Sequence, residues 1–281
     1  MGIEQFVRTM IPVVLGAGRF ALDQQGHVEN IRKDVQIRSD DNTFLVERKQ
    51  AKTVIEEQVQ ETLLLAAHAA LAGQSVRIDA EERTASTRLF TSEEADATLI
   101  IDPIDGTLQY LNGSPEYSIN LALVSRGDVL FALQYFPADK TLYLLDADGR
   151  SYHCMCDGDG IVEKKLLEPP QVVKSKIVYA NHRVPQQECL SQTYTVVKDL
   201  DGAVLWSKAF FNCISGEYRV VLFSRPYIWD VVLGAIIAAM PSGYAVDFKG
   251  NKVVWPNGGR VPEIAFGFGE LPEEIKTCLK N

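Results

Sequence analysis

From residue 4 to residue 22 apolar side chains dominate and Pro12 is the one strong breaker, so the segment reads as a helix with a possible bend at the proline. Between Gln50 and Leu71 the apolar positions Val54, Ile55, Val59, Leu63, Leu64 and Ala67 return at helical spacing, with Glu and Gln between them. That pattern predicts a second helix, ended near Gly73. The period then shortens. Runs rich in β-branched and apolar residues at 75–78, 98–101, 118–124, 129–136 and 141–145 read as strands. Arg126-Gly127-Asp128 and Pro137-Ala138-Asp139-Lys140 supply tight turns between the last three, which makes them an antiparallel meander.

The stretch from Asp146 to Pro170, rich in Gly, Asp and Pro, separates the meander from a later set of elements. That set comprises a strand at 176–180, a helix from about Gln186 to Lys198, a strand around Val204, and a helix from Trp229 to Met240 leading into Tyr244 to Phe248. The pattern predicts a mixed fold with a boundary near residue 150: an N-terminal α+β domain over 1–150 and a C-terminal α/β domain over 151–281. No internal repeat is visible.

Composition narrows the class. The chain has 281 residues, of which 46% are hydrophobic and 23% charged, the balance of a folded enzyme rather than of a disordered segment. A formal charge of -9 argues against a protein that tracks a nucleic-acid backbone. An acidic chain that handles a small anion must bring cations to its site, from Lys and Arg or from metal. No run is long and apolar enough for a membrane span, and the N-terminus lacks the features of a secretory signal. Five cysteines, an odd number, predict no disulfide framework and hence a reduced, cytoplasmic protein. Cys154-Met155-Cys156 has no second pair to complete a zinc site, and His27, His68, His153 and His182 show no ligand spacing.

The segment Leu99 to Thr107 carries the candidate chemistry. A buried-type strand runs into a turn with Asp102 at its end and Asp105 three residues on. Pro103 stiffens the turn, and Gly106 lets the backbone approach a ligand. Peptide N–H groups at Gly106 and Thr107 are placed to hold phosphate oxygens. A pair of turn aspartates alone is ordinary turn chemistry, Glu81 in Asp79-Ala80-Glu81-Glu82-Arg83 reads equally as a solvated charge, and Asp230 as a helix cap.

Taken together, these blocks have a specific pattern. Asp102-Pro103-Ile104-Asp105-Gly106-Thr107, with Glu81-Glu82 upstream and Trp229-Asp230 and Gly234 downstream, resembles the signature of the inositol monophosphatase superfamily, which includes fructose-1,6-bisphosphatases and bisphosphate nucleotidases. The resemblance runs from about Lys49 to about Gly243. It implies a layered α-β-α-β-α sandwich of the sugar phosphatase type, a homodimer, and lithium-sensitive, Mg2+-dependent hydrolysis of a small phosphate monoester, with Mn2+ as a possible substitute. It also implies that Glu81, Asp102 and the carbonyl of Ile104 hold one metal, and that Asp105 and Asp230, with Asp102 bridging, hold a second. Asp105, Gly106, Thr107 and Asp230 would contact the phosphate, with Thr107 helping to orient the attacking water. Physical chemistry points the same way, since carboxylates converging in one cleft need cations, and all-oxygen ligands suit magnesium or manganese.

Several positions depart from the signature. Glu56 stands where the family has an Asp that acts with the Thr of Asp-Gly-Thr on water. Ala80 replaces a Gly, Ala239-Met240-Pro241-Ser242-Gly243 replaces a Glu-Ala-Gly-Gly run, and Phe223 stands where inositol-specific members carry a Glu. The substrate therefore stays open among an inositol phosphate, a sugar phosphate or similar ester, with a bisphosphate nucleotidase or sugar bisphosphatase as the alternative. From another class, a non-catalytic relative that binds a phosphorylated ligand is the competing reading. No nucleic-acid polymer or membrane partner is expected.

Overall fold

The computed structural model describes residues 2–34, 43–90, 95–171, 175–198 and 206–280. Helices α1 (Ile3–Gln24), α2 (Thr43–Gln50) and α3 (Val54–Ala70) lead into the first sheet. Its strands are β1 (Val76–Ala80), β2 (Ala97–Asp105), β3 (Ser118–Ser125), β4 (Asp128–Phe136), β5 (Thr141–Leu145), β6 (Ser151–Asp157) and β7 (Gly160–Leu166), with α4 (Thr107–Leu111) between β2 and β3. They pair in chain order, β1 parallel to β2 and the rest antiparallel.

A second sheet has the order β11-β12-β10-β8-β9. It is built from β8 (Ile177–Ala180), β9 (Thr195–Lys198), β10 (Val220–Ser224), β11 (Gly243–Val246) and β12 (Glu263–Phe268). The helices around it are α5 (Gln187–Leu190), α6 (Trp206–Ile214), α7 (Ile228–Val231), α8 (Gly234–Ala238) and α9 (Glu273–Leu279).

Alternation along the strands makes the layers. In β2, Leu99 and Ile101 face α1 and α3, and Ile100 faces the other way, into a core shared with α6, α8 and β10. On the far side of the second sheet, Val178, Val220 and Leu222 pack against Leu190 of α5 and Ile275 of α9. The result is a layered α-β-α-β-α sandwich, as expected. Helix α1 buries Phe6, Val7, Met10, Val14, Leu15 and Ala21 on one face and keeps Pro12 inside the helix. At Gly18 a Cβ would lie 2.4 Å from the Tyr135 ring, so this glycine sets how closely α1 approaches β4.

The sequence pattern misread several elements. Residues 151–166 are not a separating stretch but β6 and β7, because the Gly and Asp residues at 146–150 and 157–160 make hairpin turns around short alternating runs. The helix expected from Gln186 to Lys198 stops at Leu190, and the β-branched run Thr195-Val196-Val197 pairs as a strand beside β8. The helix expected from Trp229 to Met240 is divided into α7 and α8. Strands β10 and β12 and helices α6 and α9 had not been anticipated, and the strand expected around Val204 lies outside the described residues.

The cysteines also differ from expectation. Cys189 of α5 and Cys278 of α9 form a disulfide, while Cys154, Cys156 and Cys213 are free and buried. Among the described residues no helix is long and apolar enough to cross a membrane.

Candidate active site

Three chain segments meet at the end of β2. Up to Asp102 the strand pairs regularly with β3, then the register slips between Asp102 and Asp105, at Pro103, which has no N–H to give to a ladder. Gly106 follows at φ +93, a left-handed conformation that glycine adopts without strain, and turns the chain into α4 with Thr107 as its first residue. Beside this turn β1 runs parallel to β2, and the Glu81 N–H donates to the Ile101 carbonyl at 3.1 Å, so Glu81 emerges next to Asp102. Asp230 arrives from beyond β10 of the second sheet, in the first turn of α7, where its Oδ2 accepts the Tyr227 N–H at 3.1 Å.

The electrostatics show how close these groups are. Asp102 is 2% exposed and its Oδ1 has no hydrogen-bond partner among the described residues. Burial, and then the charges of Glu81, Asp105 and Asp230, push its carboxyl well above the usual carboxylate range. Asp230 is raised by burial and then by Asp105 and Glu81. Carboxylates that strain one another's ionisation, with a buried oxygen left unbonded, fit hard divalent cations. Glu81, Asp105 and Asp230 are thus near enough to Asp102 to act on its ionisation, while among the described residues the acidic group whose oxygens lie within 4.8 Å of one another is Glu56, Glu81 and Glu82. The Ile104 carbonyl lies 3.2 Å from the Thr107 hydroxyl on the same turn.

Glu56, although the longer homologue of the expected Asp, is fully buried beside this cluster. Thr53 caps α3 and forms a capping box with it. The Thr53 side chain accepts from the Ile55 and Glu56 N–H groups, and Glu56 Oε2 accepts the Thr53 N–H at 2.5 Å. The other carboxylate oxygen, Oε1, accepts the Thr107 hydroxyl at 2.7 Å. Burial, and then the charge of Glu81, raise the Glu56 pKa to about 8, against the pull of Lys33, Thr53 and Thr107.

Four further residues of the site, Lys33, Lys52, Gln60 and Glu82, had been given no role by the sequence. Oxygens of Glu56, Glu81 and Glu82 lie within 4.8 Å of one another. Lys33 Nζ stands 2.6 Å from Glu81 and 2.7 Å from Glu82, and Lys52 Nζ 2.9 Å from Glu82. Burial opposes the Lys33 ammonium, but the charges of Glu81, Glu56 and Glu82 outweigh it and raise its pKa. Burial likewise opposes ionisation of Glu82, and the two lysines overcome it. Gln60 fixes the Glu82 backbone, accepting its N–H at 3.0 Å and donating to its carbonyl at 2.5 Å. Glu82 was visible as half of the Glu-Glu pair, whereas Lys33 lies in a polar stretch with no pattern to mark it.

Comparison with known proteins gives this geometry a context. A family model described as the inositol monophosphatase family matches residues 19–264. A fructose-1,6-bisphosphatase/inositol-1-monophosphatase of Thermotoga maritima is 28% identical over 191 residues, 65% of this chain and 72% of that protein. The 3'(2'),5'-bisphosphate nucleotidase CysQ of Shigella flexneri is 25% identical over 157 residues, 55% of this chain and 60% of the nucleotidase, less than two thirds of its length. In fold, the crystal structure of an IMPase/NADP phosphatase complexed with Mg2+ and phosphate matches with a TM-score of 0.73 at 15% identity, covering 99% of this chain and 96% of the other.

Proposed function

The chain belongs to the inositol monophosphatase family and is a phosphatase, and on that footing we propose that it hydrolyses a small phosphate monoester with magnesium bound at the Asp102 cluster. The observation that carries the metal is the buried Asp102 Oδ1, unpartnered among the described residues, on a carboxyl that feels the charges of Glu81, Asp105 and Asp230. Glu81, Asp102 and the Ile104 carbonyl would hold one cation, and Asp102, Asp105 and Asp230 a second, with manganese a possible substitute. Bound there, the cations would neutralise the carboxylates and act as Lewis acids toward the phosphoryl oxygens and the attacking water. That a relative's structure contains Mg2+ and phosphate supports this reading.

The chain's own groups supply the rest. Glu56 and Thr107, joined at 2.7 Å, orient the attacking water, and Glu56 takes its proton while Thr53 holds the other carboxylate oxygen. Because the capping box fixes Glu56 at both ends, the longer side chain still reaches Thr107. Asp105, Gly106, Thr107 and Asp230 line the place of the phosphoryl group. Ligands just after β1 (Glu81) and on β2 (Asp102, Asp105) of the first sheet and in α7 after β10 of the second (Asp230) would complete the site only when the two sheets are packed together.

The test is phosphate release from a panel of inositol, sugar and nucleotide phosphates, with magnesium and after chelation. Turnover that depends on magnesium and is inhibited by lithium is expected. Full turnover after exhaustive chelation would refute the metal reading, and no release from any ester would favour a phospholigand-binding relative.

A further inference from the structure

Behind Asp102 a row of polar side chains crosses the first sheet, and the mechanism above does not use it. Asp102 of β2 pairs with Asn120 of β3, and Asn120 with Gln134 of β4. Directly opposed residues of antiparallel strands share a face and hold their Cβ atoms about 4.5–5.5 Å apart. Ser118, two residues before Asn120 and opposite Asp105, shares that face as well. The face is the one toward the second sheet, because the next positions along the same strands, Ile100, Ala122 and Ala132, belong to the core between the sheets. Asn120 is 1% exposed, and Ser118 and Gln134 are buried with it.

Hydrogen bonds within the row run in one direction. Gln134 Nε2 donates to the Ser118 hydroxyl at 3.0 Å, and the Ser118 hydroxyl donates to Asn120 Oδ1 at 2.9 Å. The hydroxyl accepts from Gln134 and has one proton to give, which the oxygen end of the Asn120 amide receives. The reverse orientation of the amide would set its oxygen on the side of the Asp102 carboxylate, acceptor against acceptor. Asn120 Nδ2 is left without a partner among the described residues, and so is Asp102 Oδ1 on the neighbouring strand. A buried donor and a buried acceptor, both unsatisfied, thus stand on directly opposed residues. Each alone costs free energy, and joined, directly or through one water, they satisfy each other.

On its other side Asp102 has Glu81, which emerges beside it from the end of β1. The carboxylate therefore lies between a like charge and an amide donor. The backbone ladder sets the register of β2, β3 and β4 without these side chains, and apolar residues serve at the next rung, Ile100, Ala122 and Ala132. Polar side chains in such a layer are costly to bury. What the row adds is a donor beside Asp102, held by partners that are themselves fixed.

We propose that Asn120 is a positioning residue for Asp102: aimed by Ser118 and Gln134, its amide N–H holds the carboxylate from behind in the direction that a bound cation requires. The proposal rests on the metal reading above and adds to it a residue that touches neither metal nor substrate. A hydrogen bond of this kind, one step removed from the metal, orients the ligand, and its loss weakens metal binding by about tenfold or more. Binding is read by calorimetric titration with magnesium, and folding by the Tm of the metal-free protein. Both are measured in the wild type, Asn120→Leu, Ser118→Ala, Asp102→Ala and the double variant Asn120→Leu/Asp102→Ala.

Asn120→Leu, which keeps the size and removes the donor, should weaken magnesium binding by about tenfold. Ser118→Ala keeps the amide but removes what aims it, and should weaken binding by less. A row that serves the sheet alone would lower Tm and leave magnesium affinity unchanged in Asn120→Leu, and that result overturns the proposal. If Asn120→Leu does not fold, Ser118→Ala decides: weaker binding upholds the role of the row, and binding like wild type overturns it. Should the wild type bind no magnesium, the metal reading fails, and the metal-free Tm values decide whether Asn120 holds Asp102. Asn120→Leu should then lower Tm by less in the Asp102→Ala background than in the wild type, because the acceptor is already gone. Equal losses in the two backgrounds overturn it.

Discussion

Glu56 is longer by a methylene than the Asp its position leads one to expect, and the surroundings absorb the difference by fixing both carboxylate oxygens, one on the Thr53 N–H and the other on the Thr107 hydroxyl. Glu56→Gln keeps the size and removes the base. Its kcat should fall by about 10² to 10⁴ with little change in KM, measured as steady-state phosphate release. Turnover like wild type would remove Glu56 from the chemistry. The carboxylates facing Asp102 make a second prediction. A carboxyl whose pKa is raised on folding, as at Asp102 and Asp230, binds more protons folded than unfolded. The contribution of Asp102 and Asp230 to the stability of the metal-free protein should therefore fall as pH rises above about 4, the unfolded carboxylate value. Magnesium should offset this loss, so the Tm gain on adding it should be larger at pH 8 than at pH 5. A gain that shrinks with rising pH would contradict the cluster as a cation site.

At the scale of elements, the site depends on where α3 begins. Thr53 caps the helix, and the same capping box sets the direction of Glu56. Thr53→Ala should cost about 1 kcal/mol of stability. It should also lower kcat by less than Glu56→Gln does, since the Thr53 N–H survives the substitution. Denaturant unfolding and kinetics on the same preparation check both. If the variant loses stability with unchanged kcat, the cap serves the helix alone. The strand-to-turn segment at 99–107 was legible because its information is local: an apolar run, a proline that ends the ladder, and a glycine that turns the chain. Strands β10 and β12 were not, because short continuous apolar runs carry no period that separates a buried strand from a piece of helix.

In the whole molecule, the Cys189–Cys278 disulfide joins α5 to α9 on the outer side of the second sheet, away from the carboxylates. It links residues 89 apart in sequence. Cys189→Ser should destabilise the oxidised protein by about 2–4 kcal/mol and leave the reduced protein nearly unchanged. Five alkylatable thiols in denatured protein that has not been reduced would show that the pair does not form. Cys189 and Cys278 looked unremarkable in sequence because only the packing of two short helices makes them neighbours.

Local strings of residues were sufficient for the family signature, the helices α1 and α3, the strands through β5, and the candidate carboxylates Glu81, Asp102, Asp105 and Asp230. Each of these has its marker within a few residues, as a period, a breaker or a motif. Folding alone decided that Lys33 stands between Glu81 and Glu82, that Glu56 reaches Thr107, and that Arg183 and Arg260 meet at one carbonyl. These contacts join residues from 35 to 77 positions apart or come from separate loops, and no local pattern encodes a distance set by the packing of two sheets.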